Sequence, residues 1–526
     1  MSCRLSVVND TESDGWLGSS VTSPQNCRHR GLTARSSLFD PSHPTYQLIC
    51  YRLPVVFALV AVSSLGSRAW AQPSTEIEAA LALEAAVTNA VAKAERSVVA
   101  VARAPKSPDA PDRLVDPDFV PSEYGTGVVV DRRGLILTCA HVLGDTAKND
   151  YAVWLGRRPF RATVKASDPY TDLAILEVDA DDLTPIAFGD ATALKKGRVV
   201  LSLGNPFAIA RDGDVCASWG IVSNLSRKAA QTPRDERVPG GRSTIHHYGT
   251  LIQTDAKLHR GTSGGVLANL QGEMVGLTTA LAVRPGFESA AGYAIPVDPT
   301  FRRIIETLKQ GREVEHGFLG AAPAVGTRGL SYHERKNGKS GVLVSRIVVG
   351  TPAAASSLKM DDLITHIDDK PIHDPDHLML TVMRRLPGET ARIRFERGTG
   401  DRHRVLQTSV TLSKKEKSTD PRPIVTTPPR YWRGMRVDYV TAMPGFRLGN
   451  FAGEIDPAGC VAVVDVRPNT PAFQAGVQAG AFISHAAAAR VATPAEFFKA
   501  VDGDRGAVAV RIPTGGGKYT TKSIRP

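Results

Sequence analysis

The sequence predicts a mainly β protein, in which a barrel or sandwich domain precedes two copies of a smaller α+β domain. Short apolar segments broken by Gly, Asn and Asp fill the region from Gly125 to Pro296, a pattern typical of strands joined by tight turns. An internal repeat follows, since residues 342–378 align without a gap with residues 461–497. A chain of 526 residues also exceeds what one hydrophobic core can serve, which favours about three to five units.

The N-terminal region carries the pattern of a secretory signal peptide. The apolar run Leu53–Leu65 has 13 residues, too few to span a bilayer but suited to a signal-peptide core. Small residues at Ala69 and Ala71 then predict cleavage before Gln72. Residues 1–71 are therefore assigned to an N-terminal extension and signal peptide, and we expect a periplasmic or secreted protein. An uncleaved membrane anchor is the weaker alternative.

Composition excludes several classes of protein. Hydrophobic residues make up 42% of the chain and charged residues 22%, as in ordinary soluble globular proteins. The net charge of +11 is moderate for this length, and no basic run interleaves with aromatic residues. A solvated basic surface is therefore favoured over a nucleic-acid site, and no nucleic-acid partner is expected.

The cysteines after the predicted cleavage site predict neither disulfides nor a metal site. Only Cys139, Cys216 and Cys460 remain there, an odd and widely spaced set. Their spacing matches no zinc pattern, so we expect them to be buried, small, apolar side chains.

The segment 72–122 is predicted to hold an N-terminal helix, a first strand and a proline-rich loop. Residues 76–103 show apolar positions at helical spacing and then a β-branched run from Ser97 to Val101. Farther along, a charged start and several prolines predict that 414–430 is a semi-rigid linker between the two repeat copies.

Three segments supply the groups that acyl transfer to a serine requires. LILTCAH ends a predicted strand with His141, DPYTDLAIL places Asp172 before a β segment, and HRGTSGG places Ser263 in a glycine-rich turn. A nucleophile, a base and a group that orients the base form a catalytic triad, here in the chymotrypsin order His, Asp, Ser. Glycine lets backbone amides converge, so we expect Gly261 and Ser263 to donate to an oxyanion.

The same serine turn also fits the G-x-S-x-G elbow of esterases. That elbow requires a helix after Ser263 and a catalytic histidine later in the chain. A short predicted strand, a Gln-Gly turn and a second strand follow instead. An α/β-hydrolase-type esterase is therefore the less favoured enzyme.

Residues 125–315 resemble the protease domain of the HtrA family, of DegP-like and DegS-like type. The motifs are GTGVVVDRRGLILTCAHVL, YTDLAILEV, LGNPF, LIQTDAKLHRGTSGGVLANLQGEMVGLTTAL and GYAIPVD. The resemblance implies a trypsin-like serine endopeptidase for unfolded or damaged proteins, with a chymotrypsin-like double β-barrel at 123–315. It makes Ser263 the nucleophile, His141 the general base and then acid, and Asp172 the residue that fixes the imidazole tautomer.

The chain departs from the family pattern at two positions near the serine. Thr262 stands where the family usually has Asn, and Val266 where it usually has Pro. Neither change removes a catalytic atom, but both motivate an alternative, a weakly active or inactive protease-like scaffold or chaperone. The family places its catalytic Asp directly before Leu-Ala, so the nearby Asp168 is expected to be structural.

Family resemblance also suggests a specificity pocket and a sensor loop. The pocket is expected beside Leu258, Leu277 and Ala280, and without an acidic residue nearby it favours a small aliphatic P1 residue. The polar segment Arg227–Tyr248 lies where the family has its sensor loop. His246 and His247 are adjacent in this segment, and no third metal ligand has suitable spacing, so we expect them to be exposed polar residues. No metal and no cofactor is predicted.

The repeat copies resemble PDZ domains, which are α+β, partly open barrels. The first is placed at 316–413, where GFLG resembles a carboxylate-binding loop formed by Phe318, Leu319 and Gly320. Such a loop implies that peptide C-termini are partners. The second copy, at 431–526, begins less regularly, so a packing or assembly role is about as well supported as ligand binding. The family resemblance further implies a homotrimer or a larger assembly of trimers.

Overall fold

The computed structural model describes residues 75–110, 113–116, 121, 123–205, 214–230, 242–279, 291–325, 329–330, 338–416, 422–443 and 454–526. Residues 73–526 form one compact unit. The predicted signal-peptide core and cleavage site lie outside the described residues. Within the described ranges, no helix combines the length and apolar character needed to cross a membrane.

Helix α1 (Thr75–Glu95) precedes the first barrel. It is rich in alanine, the residue with the highest helix propensity, and carries acidic residues in its first turn, where the helix dipole favours negative charge. Ala90 and Ala94 near its C-terminal end join the large core that the two barrels share. Lys93 Nζ also donates to the carbonyl of Gln271 at 2.8 Å.

Six strands form the first barrel, which is closed by pairing between the fifth and sixth. They are β1 (Val98–Pro105), β2 (Glu123–Asp131), β3 (Leu135–Cys139), β4 (Asn149–Leu155), β5 (Arg158–Asp168) and β6 (Leu173–Val178). All the strand pairs are antiparallel and the central strands are buried on both faces. The short helix α2 (Ala140–Leu143) follows β3, and a tight turn joins β5 to β6.

A second closed barrel of six strands follows. Its strands are β7 (Val199–Gly204), β8 (Cys216–Arg227), β9 (Leu251–Thr254), β10 (Val266–Ala268), β11 (Met274–Thr279) and β12 (Gly292–Pro296). Helix α3 (Pro299–Lys309) follows the barrel and packs against β5 and β6 of the first barrel; Asp298 caps it by accepting from the Phe301 amide at 2.8 Å. The mainly β, double-barrel fold expected from the sequence is confirmed.

In its described residues, the first repeat copy consists of a six-stranded sheet, a two-stranded sheet formed by its first and last strands, and a helix of nine residues. Its strands are β13 (Gly317–Phe318), β14 (Ala321–Pro323), β15 (Val342–Ile347), β16 (Leu363–Ile367), β17 (Lys370–Pro371), β18 (Thr390–Arg397), β19 (Arg404–Thr411) and β20 (Ser413–Lys414). Helix α4 (Pro375–Met383) begins with Pro at its first position, and the Asp374 carboxylate caps it by accepting from the His377 amide at 2.8 Å.

The second copy has its own core and consists of a three-stranded and a four-stranded sheet with helices between the strands. Its elements are β22 (Met435–Tyr439), β23 (Val461–Val466), α5 (Pro471–Gln474), β24 (Phe482–Ile483), β25 (His485–Ala486), β26 (Ala489–Arg490), α6 (Pro494–Val501), β27 (Val508–Gly515) and β28 (Lys518–Ile524). A capping box of Thr493 and Glu496 begins α6. Both copies are therefore β-rich, PDZ-like regions.

The segment between the copies contains a strand that the sequence did not indicate. Strand β21 (Ile424–Val425) pairs antiparallel with β5 of the first barrel. The next two residues, Thr426 and Thr427, donate their amides to the Gly311 carbonyl at the end of α3, each at 3.0 Å. The linker is therefore attached to the double-barrel region at a sheet edge and at a helix C-terminus.

A buried lysine joins three further segments. Lys414 is 5% exposed, and its ammonium group lies within 3.0 Å of three carboxylates: Glu313, Glu315 and Asp438. Burial alone would lower the pKa of Lys414, but these carboxylates outweigh burial and hold the pKa far above its usual value. The strand ending the first PDZ-like region is thereby tied to the segment before it and to the second PDZ-like region.

Candidate active site

The side chains of His141 and Asp172 are hydrogen-bonded between the ends of neighbouring strands. His141 Nδ1 lies 3.0 Å from Oδ1 and 2.9 Å from Oδ2 of Asp172. The His141 backbone amide donates to Oδ1 at 2.9 Å, and the Ala140 amide donates to the Asp172 carbonyl at 3.1 Å. Since a carboxylate accepts the Nδ1 proton, the ring is held in the tautomer whose Nε2 can act as a base.

Asp172 stands where the turn from β5 enters β6, in a backbone conformation that few residues adopt. Its φ is +56°, in the left-handed region that Asp tolerates better than most side chains. The residue is 3% exposed, and Thr279 Oγ1 on β11 donates to its Oδ2 at 3.1 Å. The carboxylate therefore accepts hydrogen bonds from both barrels, which fixes it at their junction.

Charge and burial oppose each other at this pair. Burial tends to lower the pKa of His141, but the charge and hydrogen bond of Asp172 outweigh it and raise that pKa above its usual value. Burial would likewise raise the pKa of Asp172, yet the interaction with His141 and its amide lowers it. The pair thus stabilises an imidazolium beside a carboxylate, the charge state that a general base reaches during acyl transfer.

Ser263 lies in a turn whose glycines have no room for side chains. Gly261 and Gly264 adopt φ values of +95° and +88°. A Cβ added to Gly264 would overlap the Thr126 carbonyl oxygen, and one added to Gly261 would lie 2.7 Å from the ring of Tyr124. These positions require glycine for conformation and for space.

The carbonyl groups of the serine turn are held by donors within the barrels. Thr126 Oγ1 donates to the Gly261 carbonyl at 2.7 Å. Thr278 Oγ1 and the Gly265 amide donate to the Thr262 carbonyl at 2.5 and 3.0 Å. Because a trans peptide is planar, the Ser263 N–H points opposite to the Thr262 carbonyl. The amide expected to contact an oxyanion is thereby oriented away from the barrel wall.

The two departures from the family pattern fit this turn without disturbing it. Thr262 Oγ1 donates to the His259 carbonyl at 2.7 Å, and the Thr262 amide donates to the same carbonyl at 3.1 Å. Val266 is fully buried and begins β10, where it pairs with Leu203 and Leu277. The Thr262 hydroxyl therefore closes the turn that precedes the nucleophile.

Cys139 lies directly beside the His–Asp pair. Its sulfur and the donor atoms of His141 and Asp172 lie within 4.8 Å of one another, the one such Cys, His, Asp or Glu group in the described part of the chain. Burial and then the charge of Asp172 raise the pKa of the Cys139 thiol well above its usual value, so it is a neutral neighbour. Cys139 and Cys460 are buried as expected; Cys216, by contrast, is exposed at the start of β8, and that prediction was wrong.

The prediction that His246 and His247 are exposed was also wrong. The two residues are 2% and 5% exposed and form part of the 3₁₀ turn Ile245–Tyr248. His246 Nε2 donates to the Thr171 carbonyl at 2.9 Å, and Nδ1 accepts from Thr250 Oγ1 at 2.5 Å. A polar loop residue is buried here because protein groups satisfy both ring nitrogens.

Two of the three candidate pocket residues lie within the described structure. Leu258 is half-buried and lies over Gly292, where an added Cβ would contact its side chain. Leu277 is fully buried in the core shared by the barrels. Ala280 lies outside the described residues. The specificity pocket therefore stays a prediction, with Leu258 the candidate whose side chain is partly exposed.

Helix α4 of the first PDZ-like region packs on the protease region. Met383 forms a buried cluster with Tyr170 and Ile245, and Tyr170 Oη donates to Met383 Sδ at 2.9 Å. At the other end of the helix, Asp376 accepts from Lys228 Nζ at 2.5 Å and from Arg242. The described ends of the predicted sensor loop are thus joined to a PDZ-like helix by apolar contacts and ion pairs.

The predicted carboxylate-binding loop has a tightly defined geometry. Leu319 is buried, Phe318 is half-buried, and Gly320 adopts a φ of +85° against the side chain of Thr351. The carbonyls of Leu319 and Gly320 accept from the amides of Ala353 and Val348, each near 2.8–2.9 Å. These bonds fix the loop backbone.

The second copy repeats the same loop in a sequence that did not suggest it. Gly434 adopts a φ of +87° against Thr470, and its carbonyl accepts from Arg467 at 2.8 Å, matching Gly320. Trp432 differs from its counterpart Phe318 because its indole packs edge-on against Phe497, with ring centroids 5.8 Å apart. The loop backbone is therefore retained while the adjoining side chains are larger.

The sequence did not single out the threonines around the catalytic groups. Thr126, Thr278 and Thr279 are buried on strands, and each donates to the serine turn or to Asp172. Buried threonine in a strand is a recognisable signal, because its hydroxyl must find an acceptor. From sequence alone, however, it was indistinguishable from ordinary β propensity.

Comparisons with known proteins match two parts of the chain to known families. A family model described as "Trypsin-like peptidase domain" matches residues 125–277, and one described as "PDZ domain" matches residues 321–412. The chain is 28% identical to the periplasmic serine endoprotease DegP of Salmonella typhimurium over 393 residues, 74% of each protein. It is also 28% identical to the periplasmic pH-dependent serine endoprotease DegQ of Escherichia coli K12 over 410 residues, 77% of this chain and 81% of DegQ.

Two further comparisons cover less of the chain. The putative serine protease HhoA of Synechocystis is 32% identical over 269 residues, 49% of this chain and 63% of HhoA. A solved structure of the HtrA-type protease AlgW with a decapeptide is 25% identical, covering 62% of this chain and 98% of AlgW, with a TM-score of 0.47.

Proposed function

Because this chain is, by homology, an HtrA/DegP-like, trypsin-like serine endoprotease with a PDZ domain, we propose that it cleaves unfolded or damaged proteins outside the cytoplasm. The observation that carries the proposal is the His141–Asp172 pair at the barrel junction, with Ser263 in a turn whose carbonyls are fixed. We keep the limits expected from the sequence: 123–315 for the protease domain, and 316–413 and 431–526 for two PDZ domains.

The proposed reaction is acyl transfer through a covalent serine intermediate. His141 Nε2 takes the proton of Ser263 Oγ as the hydroxyl attacks the scissile carbonyl, and then gives that proton to the leaving amine. Asp172 holds Nδ1 and stabilises the imidazolium. The amides of Ser263 and Gly261 donate to the oxyanion, and water then releases the acyl group by the reverse sequence.

Replacement of the nucleophile tests the activity. Ser263→Ala in the mature chain should lower casein cleavage by about 10⁴-fold or more, because one triad member is lost. Thr262→Asn, which restores the usual family residue, serves as the matched variant and should keep the activity. Circular dichroism and gel filtration check that both variants fold and assemble alike. Equal cleavage by wild type and Ser263→Ala would contradict the assignment of Ser263 as the nucleophile, whereas no cleavage by either protein would favour the scaffold or chaperone alternative.

We further propose that peptide C-termini bind the loop Phe318–Gly320 and activate the protease through the segment Arg227–Tyr248. Support comes from α4, whose Asp376 pairs with Lys228 and Arg242 in that segment. A peptide with a free hydrophobic C-terminus should raise kcat/KM on a separate reporter substrate, whereas its C-terminally amidated form should not, because the loop amides hold a carboxylate. Equal activation by both forms would contradict this switch.

Point variants test the route better than truncation does. Deletion of residues 316–526 should abolish the peptide response, but it also removes β21 and the donors Thr426 and Thr427. Asp376→Asn keeps the chain intact and weakens only the ion pairs with the segment. It should change the extent of peptide activation without abolishing peptide binding, measured by fluorescence anisotropy.

Export and assembly complete the proposal. The two relatives DegP and DegQ are named as periplasmic, which supports export of this chain. N-terminal sequencing of protein from the native host should find Gln72 at or near the start, and a cytoplasmic protein that retains Leu53–Ala71 would contradict export. A homotrimer or an assembly of trimers is expected by family resemblance, and light scattering of the mature protein tests it.

A further inference from the structure

The turn that carries Asp172 is hydrogen-bonded to the end of the predicted sensor loop. We call residues 168–172 the Asp turn and residues 244–250 the loop foot. His246 of the loop foot donates from Nε2 to the Thr171 carbonyl at 2.9 Å, in the peptide that enters Asp172. A bond at this position constrains the backbone on which the catalytic carboxylate stands.

Two more hydrogen bonds join the same elements one residue earlier. The Tyr170 carbonyl accepts from Thr244 Oγ1 at 2.9 Å and from the Ile245 amide at 3.0 Å. The Tyr170 ring is in turn buried against Met383 of α4 and lies 5.2 Å, edge-on, from the ring of His316. A PDZ-like helix, the loop foot and the Asp turn therefore pack as one layer.

His246 is oriented at both ring nitrogens, and its burial favours the neutral ring. Thr250 Oγ1 donates to Nδ1 at 2.5 Å, which leaves Nε2 as the protonated nitrogen facing Thr171. Burial lowers the pKa of His246, although the Thr171 carbonyl and the charge of Asp172 act in the opposite direction. Its effect on the site is therefore that of a fixed hydrogen-bond donor.

We propose that His246 is a positioning residue for Asp172, and that a ligand of the first PDZ domain raises activity by stabilising the Asp turn through the loop foot. The inference rests on the proposed protease function and its PDZ-dependent activation. In this proposal, binding of a ligand to the PDZ domain acts on the carboxylate of Asp172, which orients His141. Asp172 has a φ of +56°, a backbone conformation that costs energy and persists only when surrounding groups hold it. The Asp turn therefore needs such support.

The pH profile of kcat/KM distinguishes this end point from the oxyanion hole. Its acidic limb reports the pKa of His141, which must be neutral to accept a proton. The groups facing that ring are Asp172, which raises its pKa, Arg103, which lowers it, and the neutral thiol of Cys139. If Asp172 moves away from His141, the pKa of His141 falls and the acidic limb moves to lower pH. Since burial favours the neutral form of His246, the variants are compared for the loss of a hydrogen-bond donor rather than of a charge.

The experiment compares three variants of the mature chain on a short reporter peptide. His246→Leu should move the limb down by about one pH unit and lower the plateau roughly 10-fold, because Asp172 loses part of its hold on the imidazole. His246→Gln should keep the acidic limb and the plateau close to their wild-type values, since its side-chain amide can donate to the Thr171 carbonyl. Thr278→Val, which loosens the Thr262 carbonyl behind the oxyanion side, should lower the plateau and leave the limb in place.

The activating peptide supplies the second arm. In wild type the free-carboxylate peptide should move the limb to higher pH as it raises the plateau, and in His246→Leu this movement should be lost. If His246→Leu fails to fold, Thr250→Val removes the bond to Nδ1 at nearly constant volume and should give a smaller shift in the same direction.

Failure of the inference differs from failure of the proposed function. If the acidic limb of kcat/KM lies at the same pH in wild type and in His246→Leu, the positioning role is wrong, whatever the two plateau values are. Absence of Ser263-dependent cleavage would overturn the protease proposal instead. If no such cleavage is found, the positioning role can still be tested by NMR. The low-field resonance of the proton between His141 and Asp172 should shift in His246→Leu but not in His246→Gln. An unchanged resonance in both would refute the inference.

Discussion

Asp172→Asn should inactivate the protease by reversing the imidazole tautomer. The structure determines which way the new amide faces. Oδ1 accepts from the backbone amide of His141 at 2.9 Å, a donor that cannot rotate, so the carbonyl oxygen of Asn must occupy that position. The amide nitrogen then takes the place of Oδ2, facing Thr279 Oγ1 and the His141 ring.

The consequence at the base follows from hydrogen-bond polarity. The hydroxyl of Thr279 can rotate to accept, but His141 Nδ1 must also accept from the new N–H, so the ring proton moves to Nε2. A protonated Nε2 cannot take the proton of Ser263. We expect kcat to fall about 10⁴-fold, which corresponds to about 5.5 kcal/mol of transition-state stabilisation.

The assay is cleavage of a fluorogenic peptide at a fixed pH above the acidic limb, with protein freshly separated from deamidated material. Thermal melting should show the variant folded, because the three groups around the side chain each keep a hydrogen bond to it, two of them with the direction reversed. Asp168→Asn is the matched control on the same turn and should retain most of the activity. Residual kcat above a tenth of wild type in Asp172→Asn would refute the tautomer argument.

The remaining predictions concern pH, packing and charge. Activity should decline as pH falls through a value above 6.5, because Asp172 raises the pKa of His141 and the protonated ring cannot act as a base; a limb below 6.5 in the wild-type pH profile would contradict this. Gly264→Ala should lower the free energy of unfolding by about 2 kcal/mol or more in urea, since its Cβ overlaps the Thr126 carbonyl. Gly517 has a φ similar to that of Gly264 but open space around it, so Gly517→Ala should lower the free energy of unfolding by only about 1 kcal/mol. Equal losses of stability in the two variants would refute the steric argument. Lys414→Met should cost about 2–3 kcal/mol at neutral pH and less at acid pH, where the carboxylates that it leaves unpaired become protonated; a loss that is the same at both pH values would refute this.

The catalytic groups could be predicted because each lies in a contiguous stretch with its own backbone requirement. Ser263 stands among glycines, His141 ends an apolar strand, and Asp172 precedes one. The structure joins His141 and Asp172 through β3 and β6, which pair from Leu135 to Cys139. Strand patterning also predicted the mainly β class, since apolar runs and turn residues alternate throughout the barrels.

Features that depend on distant partners could not be predicted. His246 resembles an exposed loop residue until Thr171 and Thr250 satisfy its ring, and those partners come from other segments. The strand Ile424–Val425 is two residues long and flanked by proline-containing sequence, so only the free edge of β5 makes it a strand. Cys216 was expected to be buried because cysteine usually is, but its position faces outward at the start of β8.

The strand β21 also sets an order of events during synthesis. Thr426 bonds to the Lys165 carbonyl across 261 residues of chain, so the edge of β5 stays open until a segment beyond the first PDZ-like region has emerged. A chain made from the N-terminus folds its domains in sequence, and an open edge in an early domain can pair with another chain. Synthesis of this protein therefore has an interval in which the first barrel is closed but its edge is unprotected. That interval ends only when residues 424–427 arrive.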